Sequence, residues 1–214
     1  MADPAMLLAS DHTEIMKFLI QNYHLVLPKI VKSTPQEILG LCRSIAKSQQ
    51  DTQRAMLFSA AAAAVRHSNK TLTKITQKEW QPAIPVVKLI YLAESTKELK
   101  KILASEFKSV KHPASLKTGL GVASQIFVDG EDSVYDVDFW VSALIHHPGQ
   151  LFGGLSNLTH KLEQVKDKVL GVAAADAVGA IAGAVGAAVA GKDIKGIAAG
   201  AASGAVASSI KSAV

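Results

Sequence analysis

Between Val169 and Val214 the chain reads VLGVAAADAVGAIAGAVGAAVAGKDIKGIAAGAASGAVASSIKSAV, a run that holds eight of its 15 glycines. Gly171, Ala175, Gly179, Gly183, Ala187 and Gly191 recur every fourth residue, and so do Gly196, Gly200, Gly204, Ser208 and Ser212. On an α-helix that spacing stacks each set into one nearly straight row. Glycine costs a helix about 1 kcal/mol relative to alanine, so rows of this kind are helical only where something packs against them. Two rows separated by the charged break Lys192 to Lys195 therefore predict two arms, 169–190 and 196–213, whose backbones touch along their length.

The partner of such a hairpin is its own second arm first, and then a protein body, other copies or a bilayer. The first arm would be about 33 Å long as a helix, enough to cross a hydrocarbon core. Asp176 lies near its middle, however, and a charge there costs about 2.5–3.5 kcal/mol on insertion scales. Permanent residence in a membrane is therefore disfavoured, and regulated or oligomeric insertion would turn Asp176 towards a pore or a partner. Lys166, Lys168, Lys192, Lys195 and Lys211 sit near the arm ends, where they would reach lipid headgroups.

The Gly/Ala hairpin resembles the glycine-zipper cores of class II-type bacteriocins. A helical body with a small-residue hairpin near its C-terminus is also similar to pore-forming colicin domains. That second resemblance implies an all-α bundle that shelters the hairpin in water and releases it at a membrane.

The remainder of the 214 residues reads as helix. Aromatics are few, no stretch sustains the two-residue alternation of a half-buried strand, and start signals recur. Asp11 to Glu14 is spaced as a cap opening a helix through Phe18 and Leu19, which Pro28 stops or kinks. Thr34, Pro35 and Glu37 begin a second helix, Asp51 a third, and Ser95 with Glu98 a later one. Ala55, Ser59 and Ala63 form a small stripe that would admit a neighbouring helix. Helical spacing places Phe18, Leu19, Ile38, Cys42, Ile45, Leu99, Leu103 and Trp140 in the core. The expectation is an all-α helical bundle, with a body over 1–155 and an amphipathic helix leading into the hairpin over 156–214.

The net charge of +5 is unevenly distributed, with eleven Lys or Arg against four Glu between Arg66 and Lys117. DGEDSVYDVD, from Asp129 to Asp138, then carries five acids and no base, and reads as a solvated loop that attracts the basic middle. Arg66, Lys70, Lys74 and Lys78 fall at four-residue intervals, a ridge that could meet an anionic surface, although a solvated face is the commoner reading. No aromatic platform is interleaved with it, so no nucleic-acid binding is expected.

The acids of DGEDSVYDVD are out of EF-hand register, and His146 and His147 have no ligand partner at zinc spacing, so no metal is expected. Cys42, the single cysteine, reads as a buried thiol in a reducing compartment. The first residues lack the basic start and long apolar run of a cleavable secretion signal, which predicts a protein made in the cytoplasm and then retained, released or membrane-associated.

No catalytic motif is present and no cofactor is expected. The leading functional expectation is a membrane-active protein whose partners are a bilayer or other copies of itself, in a homo-oligomer. A structural protein that self-assembles through the zipper is the second, and a soluble helical interaction module the third.

Overall fold

The computed structural model describes residues 4–26, 33–145 and 158–213. All regular structure among them is helical. Helix α1 spans Pro4–Gln21 and is followed by the single turn α2, Tyr23–Val26; α3 (Pro35–Ser48) and α4 (Thr52–Leu72) form an antiparallel pair. A short α5 (Gln77–Trp80) leads through a 3₁₀ turn into α6 (Ile84–Leu92), α7 (Thr96–Lys108), α8 (Ala114–Gly130) and α9 (Val137–Ile145). The hairpin arms are α10 (Leu158–Val189) and α11 (Ile194–Ala213).

Local chemistry accounts for most of these boundaries. Thr34 and Glu37 exchange hydrogen bonds as a capping box, with Pro35 in the first turn of α3. Gln50 adopts a left-handed φ of 59° between α3 and α4, and Asp51 then accepts the Arg54 N–H to start α4. Ser95 caps α7 through the Glu98 N–H, but the Glu98 carboxylate reaches one residue further back, to the N–H of Glu94. A further box, Thr76 with Glu79, starts α5 and was not anticipated.

Three expectations are revised. Asp11 does not start a helix: α1 is already running from Pro4, and His12 and Thr13 lie buried on its inner face. The small stripe Ala55, Ser59 and Ala63 does not set the packed face of α4. Ala55 is buried, but beside the bulkier Phe58 and Val65 and with Ser68 and Thr71, while Ser59 is half-buried and Ala63 exposed. Nor is the acidic segment simply a solvated loop. Glu131, Asp132 and Asp138 are exposed, but Ser133, Val134 and Tyr135 between them are buried. Pro28, His146, His147 and the 155/156 boundary lie outside the described residues.

All eight residues expected in the core are buried. Body and hairpin contribute to one continuous apolar cluster, from Phe18 and Ile38 through Leu120 to Ile181 and Ile210. Cys42 is part of it, and burial pushes its thiol up to about 12. It should therefore ignore a thiol-specific reagent such as DTNB in the native protein and react only as the chain unfolds. Stoichiometric labelling within seconds under native conditions would show that the α3 face is open.

Candidate functional site

The hairpin lies at the centre of the bundle, and its arms contact one another far more than either contacts any other helix. Helices α4 and α8 touch both arms, while α1 and α3 cover α11. The two rows of small residues face each other in antiparallel register. A Cβ placed on Gly179 would strike the carbonyl of Gly204 and the side chain of Ser208. One on Gly183 would strike the carbonyl of Gly200, and one on Gly200 would come within 2.7 Å of both the Gly183 carbonyl and the Ala187 Cβ. Only a hydrogen fits at these positions, so the backbones approach as closely as two helices can.

The row loosens towards both ends. Gly171 has nothing nearer to its Cβ position than the Ser212 hydroxyl, 3.7 Å away, and Ala175 is half-buried. Gly191 lies in the turn and Gly196 in the first turn of α11, and a Cβ added at either would meet nothing of the opposite arm. Gly191 takes a φ of 72° with open space around it, the left-handed conformation that ends a helix, and the Gly196 N–H donates to Asp193 Oδ1 at the start of α11.

Two further close approaches fall outside the four-residue rows. Gly119 of α8 brings that helix onto α10, where an added Cβ would lie 2.9 Å from the Ile181 Cα. Gly186 of α10 lies against Thr71 and Leu72 at the end of α4. The first arm is thus gripped on three sides by backbone-distance contacts.

Asp176 is the charged group inside this apolar packing, 2% exposed. Its Oδ1 lies 2.9 Å from Nε2 of His12 on α1, and its Oδ2 accepts a 2.6 Å hydrogen bond from the Tyr135 hydroxyl. The His12 Nε2 is also 3.2 Å from the Ser209 hydroxyl of α11, which itself donates to helix carbonyls of its own arm. A carboxylate only accepts, so these partners place the His12 proton on Nε2 and leave Nδ1 unpartnered in the core. Burial, and then the adjacent Asp176 charge, push the Tyr135 phenol well above its ordinary range, so it stays a donor.

The Tyr135 ring is held in place from several sides. It stacks on Phe127 at 4.7 Å and lies over Gly130, where a Cβ would come within 2.8 Å of it. Trp140 donates its indole N–H to the Val134 carbonyl and fixes the same turn. One carboxylate therefore joins α1, the α8–α9 turn and α11 to the first hairpin arm. The cluster has no catalytic geometry: His12 offers the same nitrogen to Asp176 and Ser209, and all four side chains are closed off from solvent.

The basic ridge is not continuous. Arg66 and Lys70 lie on the exposed face of α4, Lys74 falls in the turn beyond its end, and Lys78 is on α5. Lys168, expected to reach headgroups, donates to the Tyr23 hydroxyl instead. Lys192 and Lys195 are exposed at the hairpin tip on either side of Ile194, itself 77% exposed. Among the described residues one helix is long and apolar enough to cross a membrane, Leu162–Val189, and 72% of its most apolar window is buried inside the fold.

No family model matches this chain, and neither a curated protein nor a solved structure is found to be similar to it.

Proposed function

We propose that this is a non-catalytic, membrane-active protein that carries a pre-zipped hairpin inside a helical sheath and delivers it to a bilayer. The observation that carries this reading is that the hairpin satisfies its own closest contacts. Gly179, Gly183, Gly200 and Gly204 are used between the arms, so transfer to lipid would exchange only the outer faces of the hairpin while its inner interface stayed intact. Its tip supports the same reading, because the exposed Ile194 stands in the segment Lys192-Asp193-Ile194-Lys195, an apolar point in a tip whose two cations outnumber its one acid, suited to anionic headgroups.

Asp176 acts here as the latch. Its bonds to His12 and Tyr135 keep the hairpin in the sheath, and both must be lost before the arm can enter lipid. Self-assembly through the zipper would require a further step, the parting of the two arms, since both rows are occupied within one chain. Copies carrying an intact hairpin would therefore meet through its outer faces after release.

The test is dye release from vesicles containing phosphatidylglycerol. The full chain should release dye, and Ile194→Glu, at an exposed position that leaves the core untouched, should release it at least tenfold more slowly. Intact vesicles with the protein left monomeric in solution would overturn this reading. That outcome would favour a soluble interaction module with the hairpin as permanent core, which the closure of the Asp176 network also suits.

A further inference from the structure

Apart from Lys88, α6 is apolar all round, yet only one of its sides is covered. Val86 and Ile90 are buried against the body, while Pro85, Lys88, Leu89, Tyr91 and Leu92 fall on the other side and are exposed. A helix of this composition is ordinarily enclosed. We propose that the outer face of α6 docks the protein, with its hairpin still sheathed, on an anionic bilayer surface. The inference rests on the membrane reading for its partner and adds the face that lands first.

Size bears on what covers this face. Leu89 is 42% exposed, Tyr91 66% and Leu92 73%. Together these three side chains offer on the order of 400 Å² of surface, where each partner of a stable protein interface gives about 800 Å². That is too little for a second copy. A bilayer sets no such minimum, because apolar side chains enter the headgroup boundary individually and neighbouring cations add attraction to anionic lipid. Tyr91 suits that boundary, as an apolar ring with a polar tip.

Charge points the same way. Lys88 stands on the face itself, one helical turn before Leu92, where its stem can lie along apolar surface while its ammonium reaches a headgroup. From Lys70 to Leu92 the chain carries four lysines, Lys70, Lys74, Lys78 and Lys88, against one acid, Glu79. All four lysines are exposed, and the Glu79 carboxylate is engaged by the Thr76 N–H and hydroxyl at the start of α5. Beyond α6, Glu94 and Glu98 are matched in number by Lys97 and Lys101. Twofold pairing with a second copy would bring two lysine-rich patches together, whereas lipid phosphates neutralise them.

The position of α6 gives docking a consequence. It packs on α10, the first hairpin arm, as well as on α7. A bilayer seated on its outer face is therefore one helix diameter, about 10 Å, from the element to be delivered.

The test is flotation of the full chain at low salt with vesicles of phosphatidylglycerol or of phosphatidylcholine, with dye release and mass in solution recorded alongside. Binding to phosphatidylglycerol should be at least tenfold tighter than to phosphatidylcholine. Leu89→Glu with Leu92→Glu, both at exposed positions, should weaken it at least tenfold while leaving the thermal midpoint unchanged. Lys88→Glu should weaken it and Lys88→Arg should not. Ile194→Glu should float as the parent does, which separates landing from delivery. A parent that floats with neither vesicle would overturn the proposal. So would equal binding to both vesicles, or binding that the double substitution leaves unaltered, and dye release by the hairpin tip would then stand without this face. A dimer that the double substitution dissolves would overturn it in favour of a second copy. Flotation lost in the double variant of a parent that releases no dye would uphold the docking face and overturn delivery.

Discussion

Gly183→Ala should destabilise the protein by about 3 kcal/mol, while Gly171→Ala in the same row should stabilise it by about 0.5–1 kcal/mol. Intrinsic helix propensity favours alanine equally at both sites, so the difference in sign isolates the contact. At Gly183 the new methyl would lie on the Gly200 carbonyl and 3.2 Å from the Ala201 Cα, both backbone atoms of a helix that cannot swing aside. The arms would have to separate, and every other close contact along the zipper would loosen with them. At Gly171 the methyl would meet only the Ser212 hydroxyl at 3.7 Å, an ordinary contact, and the gain from a stiffer unfolded chain would prevail. Urea unfolding of the two variants measures both effects. If Gly183→Ala is as stable as the parent or more so, the arms are not held at backbone distance and the central packing described above is wrong.

The contrast between these two glycines also shows what a four-residue period can and cannot convey. Spacing puts Gly171, Gly183 and Gly191 on one face, and the structure keeps the first two there. Whether a face is crowded depends on the angle at which the arms cross and on where the turn begins. Crowding is confined to the middle of the row, and Gly191 ends a helix instead of packing one. Gly119 and Gly186 were illegible for a related reason. Each is a single small residue outside the rows, and its importance appears only once another element lies on it.

Helix starts were legible because capping is local: the residues that satisfy the first N–H groups lie within three positions of one another. Asp11 is the exception, because a cap pattern does not tell a helix start from the interior of a helix already running from Pro4. His12, Ile15, Met16 and Leu19 are spaced three, four and seven apart and all are buried, so the same residues carried a signal for His12 facing inward. The partners of Asp176 carried no such signal. Tyr135 is 41 residues away in a segment dominated by acids, and His12 is 164 away. The polar centre of the fold is a product of tertiary packing.

Asp176→Ala should cost about 2–5 kcal/mol, since it leaves two buried polar groups short of a partner at about 1–3 kcal/mol each. The loss would come from what is left behind. Tyr135 would keep a buried hydroxyl without its acceptor, and the His12 ring, 1% exposed and already unpartnered at Nδ1, would lose its close carboxylate at Nε2. Removing the whole cluster should behave differently. Asp176→Leu combined with His12→Leu and Tyr135→Phe exchanges three desolvated polar groups for apolar ones of similar size, and should recover most of the loss or exceed the parent in stability. Denaturant midpoints of the single and triple variants decide between a network kept for stability and one kept for control. A triple variant as unstable as Asp176→Ala would mean that the polar contacts themselves hold the hairpin in its sheath. If stability recovers, the network is dispensable for folding. Asp176 is then best understood as the group that fixes how α1, the Tyr135 turn and α11 register on the first arm, and the element whose release the membrane reading requires.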